Sequence, residues 1–240
     1  MKRQALIIGC PDSSIPGVID DMKNYRRFFE SRAGGEWYAN EIITLKNPTK
    51  IQVENSINDL KKVDYSVVVF AGHGGYDSKK QTTILELSPN VLIEDFLLKQ
   101  GAPRRTTIID ACRVVVQQKL EETFVKSSIT MDSLSVQHNA RKIFEDHINK
   151  APAGLGVMYS CSIGESAGDI PGQGGTYSST LLAIGNRWAD RYVASTPEVM
   201  TISEAHEKAV PIVIKQRGGT QHPMGEFPRS IPRFPFALAL

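Results

Sequence analysis

The sequence predicts an α/β protein, a three-layer α/β/α sandwich around a mostly parallel central sheet of about six strands. Three observations carry this. Short apolar, β-prone runs recur along the chain, among them ALIIGC, VVVFA, TIID and GVMYS. Segments with apolar residues at helical spacing fall between them. The run YSVVVFA at 65–71 is continuously apolar rather than alternating, as in a sheet covered on both faces.

In order, residues 4–10 read as the first strand. Residues 18–31 place Val18, Met22, Tyr25, Phe28 and Phe29 on one helical face, and Gly34 and Gly35 end that helix. Residues 41–46 read as a strand, and Thr49 as the cap of a helix over 50–62 with Ile51, Ile57 and Leu60 inward. The strand at 65–71 is followed by a short hairpin arm at 82–87, a helix at 92–99, and strands at 105–112 and 155–161. Helices at 176–190 and 201–216 come next, and the tail FPFALAL reads as a last strand. Residues 113–153 are polar, with a helical pattern at 138–149, and separate two buried strands. A crossover of that length points to function. The expected organisation is one domain over 1–240, with 113–153 inserted between 1–112 and 154–240.

The chain has 240 residues, 41% of them hydrophobic, enough for one sizeable core. Lys plus Arg number 28 against 26 Asp plus Glu, so a net charge of +2 gives no electrostatic footprint for nucleic acid or an anionic membrane. The apolar run in MKRQALIIGC is too short for a signal core or a membrane span. A soluble, cytoplasmic protein is expected. Cys10, Cys112 and Cys161 form neither a disulfide scaffold nor a CxxC metal pair. No metal or cofactor is expected.

Two strands end in reactive residues. In VVVFAGHGG, His73 follows an apolar strand and is flanked by Gly72, Gly74 and Gly75. In TIIDACR, Cys112 follows another, with Asp110 two positions earlier. Ligands of open parallel sheets bind beyond the carboxyl ends of the strands, where both residues would emerge. A thiolate there can attack a peptide carbonyl, and an imidazole can protonate the leaving amine. The N–H groups of Gly74 and Cys112 could form an oxyanion hole. Taken singly, a histidine beside glycines is ordinarily a turn residue and a buried cysteine an inert small hydrophobe. Their joint position at successive strand ends is what outweighs those readings.

The pattern resembles the caspase-like peptidases, the superfamily of caspases, metacaspases and their bacterial relatives. FAGHGG resembles the family's histidine block and IIDACR its cysteine block. IIGCPDSSIPGVIDDMKNY resembles the first strand, loop and helix. YSCSIGESAGD, followed by GGTYSSTLL, resembles the start of the small-subunit region, and QHP at 221–223 the segment before the last strand. The resemblance implies the caspase-like fold, with 1–112 corresponding to the large subunit and 154–240 to the small one, and a Cys112/His73 endopeptidase. Ala71 stands where metacaspases commonly have Ser, and Arg113 where their cysteine block continues with His. This places the chain nearer the diverse prokaryotic branch, and calcium dependence is not carried over.

In caspases the position two before the cysteine is Gln and the pocket accepts Asp; in metacaspases it is Asp and the pocket accepts Arg or Lys. Asp110 therefore implies cleavage after a basic residue, through ion pairing at the pocket floor. A strand-end Asp bonded to nearby backbone is the bland alternative. Glu165 and Asp169 are expected as further pocket acids, with Cys161 lining the pocket. Arg113, Lys119, Lys126, Arg141, Lys142 and Lys150 are expected points of self-cleavage. The expected partner is a protein substrate with a basic residue before the cut bond; family relatives in cell-death and anti-phage systems extend this to a gasdermin-like protein. The competing reading is an inactive caspase-like module that binds peptide without cutting. His138, His147, His206 and His222 read as solvated or structural.

Overall fold

The computed structural model describes residues 1–115, 139–170, 172–191 and 196–240. The chain begins with strand β1 (Arg3–Gly9), helix α1 (Val18–Glu30), a single 3-10 turn, strand β2 (Ile42–Lys46) and helix α2 (Lys50–Leu60). Thr49 caps α2 as expected: its hydroxyl accepts from Gln52 N–H, and the Gln52 side chain accepts from Thr49 N–H. The buried stripe is Val53, Ile57 and Leu60, whereas Ile51 is 68% exposed. At 100° per residue Ile51 lies about half a turn from that stripe, so the inward placement expected for it is corrected.

Strand β3 (Tyr65–Ala71) leads into a three-stranded antiparallel sheet of β4 (Gly74–Asp77), β5 (Thr82–Ser88) and β6 (Val91–Glu94). The expected helix at 92–99 is therefore a strand followed by the one-turn helix α3 (Asp95–Leu98). Asn90 takes a left-handed φ of 66°, and with Pro89 it turns the chain so that Leu92 pairs with Glu86. Strand β7 (Arg104–Asp110) follows, then helix α4 (Ala140–Lys150), strand β8 (Gly154–Tyr159), the short strands β9 (Asp169–Ile170) and β10 (Gly174–Gly175), and helix α5 (Thr176–Ala189). Strand β11 (Glu198–Thr201), helix α6 (Ile202–Gln216), strand β12 (Met224–Glu226) and strand β13 (Pro235–Ala239) complete the described elements.

The central sheet has six strands in the order β12-β8-β7-β3-β1-β2. All neighbours are parallel except β12, which runs antiparallel to β8. The tail is a strand, but it pairs with β11 in a separate two-stranded sheet; the sixth central strand is Met224–Glu226. Alternate strand residues supply two cores. Ala5, Ile7, Val67, Val69, Ile108 and Met158 face α1, α4, α5 and α6, whose Tyr25, Phe28, Phe144, Tyr177 and Val213 share their cluster. Leu6, Ile8, Val68, Phe70, Ile109 and Val157 face α2, α3 and the small sheet through Val53, Ile57, Leu85 and Leu98. Burying each such side chain contributes roughly 1.5–3 kcal/mol.

Register brings the carboxyl ends of four strands to one rim: Gly9 pairs with Ala71, Ala71 with Asp110, and Ile109 with Tyr159. Among the described residues no helix is long and apolar enough to cross a membrane. Of the expected insertion 113–153, residues 116–138 lie outside the described residues, and with them Lys119, Lys126 and His138. Arg113 is buried; Arg141, in α4, is ion-paired to Glu41 of the 3-10 turn, and Lys142 and Lys150 also belong to α4.

Candidate active site

β3 and β7 are adjacent, so His73 and Cys112, two residues beyond their ends, emerge side by side at this rim. Both line one small cavity of about 50 Å³, together with Asp21, Asp110, Ala167, Asp169 and Gly175. Gly74 explains how the two loops come so close. A Cβ there would sit 2.8 Å from the Cys112 carbonyl oxygen and 2.9 Å from Ala111 Cβ, so no larger residue fits without displacing the loop.

Of the three cysteines, Cys10 and Cys161 are buried and Cys112 is half-buried. Burial pushes the Cys10 and Cys161 thiols up to about 12, which keeps both neutral at physiological pH. The Cys112 sulfur accepts a hydrogen bond from Ala167 N–H at 3.3 Å. Its loop is pinned on the far side by Arg113 N–H donating to the Glu165 carbonyl and Gly164 N–H donating to the Arg113 carbonyl.

His73 Nε2 lies 2.8 Å from Asp12 Oδ2 and 3.2 Å from Ser14 Oγ. Glu86 N–H donates to the His73 carbonyl, and Gly74 is paired with Leu85. That makes 74↔85 a non-hydrogen-bonded pair, whose own N–H groups point away from the ladder. The Gly74 N–H is thus directed outward from β5, as a donor to a bound oxygen requires.

The cavity floor is acidic. Asp110 Oδ2 accepts from Ser178 N–H at 3.0 Å and Ser178 Oγ–H at 2.6 Å. Burial pushes its carboxyl above the usual range, against those bonds. Asp21 accepts the Gly175 N–H with both oxygens at 3.0 Å, and burial, then the nearby Asp110, pushes it well above the usual range. Asp169 is raised by burial and then by Asp110. Both of its carboxylate oxygens are shielded from solvent, and the nearby backbone N–H groups of Ile170 and Gly17 only partly offset that burial.

The structure thus brings together His73, Gly74, Cys112, Asp110 and Asp169. It places Glu165 and Cys161 outside the cavity lining. The Glu165 carboxylate accepts from His222 N–H and Nδ1, and from Ser162 N–H. Cys161 lies beneath the loop, its thiol donating to the carbonyls of Ala111 and Glu165. Asp21 escaped the sequence reading, although a signal exists: it stands among Val18, Met22 and Tyr25 on the buried face of α1. Asp12 gave no periodic signal.

A wider groove of about 660 Å³ lies between α2, the small sheet and α3, lined by residues such as Lys50, Tyr76, Leu92 and Phe96. Its described lining has no histidine or cysteine, so the Cys/His pair lies elsewhere, in the smaller cavity. Among the described residues no cluster of His, Cys, Asp and Glu could hold a metal ion.

A family model described as the caspase domain, of the C14 peptidases, matches residues 2–230. The chain belongs to the caspase-domain peptidases. A search among curated proteins found no match. The match takes in nearly all of the chain, including both strand ends that deliver His73 and Cys112. The caspase domain is a cysteine-peptidase family, and the six-stranded, mostly parallel sheet with helices on both faces agrees with its fold.

Proposed function

We propose that this caspase domain is an active cysteine endopeptidase that cleaves protein chains after Arg or Lys. The observation that carries the reading is that His73 and Cys112 line the same cavity as three desolvated carboxylates, Asp21, Asp110 and Asp169. Carboxylates buried close together, as Asp21 and Asp169 are beside Asp110, favour a ligand that brings donors and positive charge. A guanidinium or ammonium brings both.

In this reading the Cys112 thiolate attacks the carbonyl carbon after the basic residue. The oxyanion is held by the N–H groups of Gly74 and Cys112. His73 gives its proton to the departing amine, the C–N bond breaks, and a thioester on Cys112 remains. His73 then takes a proton from water, whose oxygen attacks the thioester and releases the acid and the thiol. Glu165 and Cys161 are given no contact with substrate. A gasdermin-like protein is the physiological substrate we would test first, on the family resemblance alone.

Fluorogenic peptides with Arg, Lys, Asp or Ala before the reporter test the proposal. Turnover of the basic peptides, lost by on the order of 10⁴-fold or more in Cys112→Ala, is expected. Preference for Asp would overturn the specificity. A fully active Cys112→Ala, or no labelling of Cys112 by a basic peptide ketone, would overturn the chemistry and favour a peptide-binding module.

A further inference from the structure

The loop after β1 holds a carboxylate against the imidazole. Asp12 Oδ1 accepts from Ser14 N–H at 2.8 Å, Ser14 Oγ–H at 2.7 Å and Ile15 N–H at 3.1 Å, which closes a side-chain-stabilised turn. The turn accounts for Oδ1. It does not account for Oδ2, which lies 2.8 Å from His73 Nε2.

We propose that Asp12 is the third member of a Cys112–His73–Asp12 triad, a positioning residue that holds His73 in the Nε2–H tautomer. The inference rests on the peptidase reading above and extends it. Two neighbours of Nε2 require that tautomer. An ionised carboxylate only accepts, and the Ser14 hydroxyl has given its single proton to Asp12 Oδ1, so toward Nε2 it also only accepts. Nε2 must therefore donate, and Nδ1 keeps its lone pair. Burial, the largest single influence, acts the other way, but the hydrogen bonds from Ser14 and His73 together outweigh it and bring the Asp12 carboxyl down to about 2, so it is ionised wherever the enzyme would work. The proton of the Cys112 thiol then passes to Nδ1, leaving a thiolate and an imidazolium whose Nε2–H stays on Asp12. Nδ1–H later serves the leaving amine.

Asp12→Asn separates this from a merely structural turn. Three donors already converge where Oδ1 lies, so the amide oxygen stays there and the NH₂ group faces Nε2. A donor facing Nε2 from the nearer of its two neighbours, at 2.8 Å against 3.2 Å for Ser14 Oγ, shifts the proton to Nδ1, which can then no longer accept from the thiol. Histidine-selective ¹⁵N spectra, assigned with His73→Ala, should show Nε2–H in the wild type and Nδ1–H in Asp12→Asn. With a basic peptide substrate, Asp12→Asn should lower kcat roughly 10²–10⁴-fold with little change in KM. Asp12→Ala, which removes the acceptor without imposing a donor, should lose only about tenfold, because Ser14 and solvent remain. An Asp12→Asn variant with the wild-type tautomer, or with wild-type kcat, would overturn the proposal. A wild type that cleaves nothing would sink the peptidase reading, while the spectra would still decide whether Asp12 sets the ring.

Discussion

The guanidinium of Arg113, the residue after Cys112, lies 4.0 Å above the ring of Tyr159. Its Nε donates to Thr83 Oγ1 at 3.1 Å and its Nη1 to the Cys161 carbonyl at 3.3 Å. One side chain thus ties the Cys112 loop to the end of β8 and to the small sheet. A lysine cannot reproduce a planar stack with two directed donors. Arg113→Lys and Arg113→Ala are both expected to destabilise the fold, the latter by on the order of 3 kcal/mol, and to lower kcat. Urea titration checks the first effect and peptide turnover the second. Variants as stable and active as wild type would mean that backbone bonds alone hold the loop.

Asp110 keeps its proton to higher pH than an exposed carboxylate because it is buried, and Asp169 because it is buried and lies near Asp110. A protonated floor is neutral and attracts a cation weakly. Affinity for a basic peptide should therefore rise with pH above the ordinary carboxylate range of about 4, and binding should release protons. Calorimetry on Cys112→Ala, in buffers of different ionisation enthalpy, measures both. Affinity independent of pH, with no proton release, would contradict the acidic floor.

Asp169→Asn is expected to separate stability from binding. Its raised carboxyl means that ionisation disfavours the folded state once pH exceeds the unfolded value, so removing the charge should raise the melting temperature at neutral pH. The same change should cost basic substrates roughly 10–100-fold in kcat/KM, the worth of one charged hydrogen bond. Thermal melts and kinetics on one protein preparation decide; a less stable variant with unchanged kinetics would refute both halves.

His206 is buried, with Nδ1 2.7 Å from the Tyr177 hydroxyl, and burial lowers its pKa to about 4. An unfolded histidine titrates near 6.5. The folded state resists the proton, so this contribution is complete above about pH 6.5 and is lost as pH falls through 4, on the order of 3 kcal/mol in all. The buried carboxylates slope the other way. Comparison with His206→Gln, which keeps an acceptor for Tyr177 and does not titrate, isolates the histidine. Equal acid slopes for the two proteins would show that His206 charges freely in place.

The sheet and its reactive rim were legible because fully buried parallel strands are continuous apolar runs, and because Gly-His and Cys directly follow two of them. β12 was not legible. Met224, Gly225 and Glu226 are all exposed, and they form a strand only because β8 offers an unpaired edge. The apolar tail read correctly as a strand, but its partner β11 could not be deduced from its own residues. Residues 92–94 pattern equally well for helix and strand, and the Pro89-Asn90 turn decided between them. Among the site residues, those beside strands were found and those beyond them were not. Asp21 comes from α1 and Asp12 from a loop, and each reaches the rim through folding rather than through proximity in the chain.

The sulfur, the imidazole and Asp110 hang from the sheet, whereas the other two acids beside them hang from other supports, Asp21 from α1 and Asp169 from β9. In the proposed reading, bond breaking rests on the sheet, and side-chain selection rests there only through Asp110. Exchanging the α1 and β9 carriers should retune which residue is accepted while the cutting apparatus stays in place, so that a lineage could drift in diet without rebuilding its teeth.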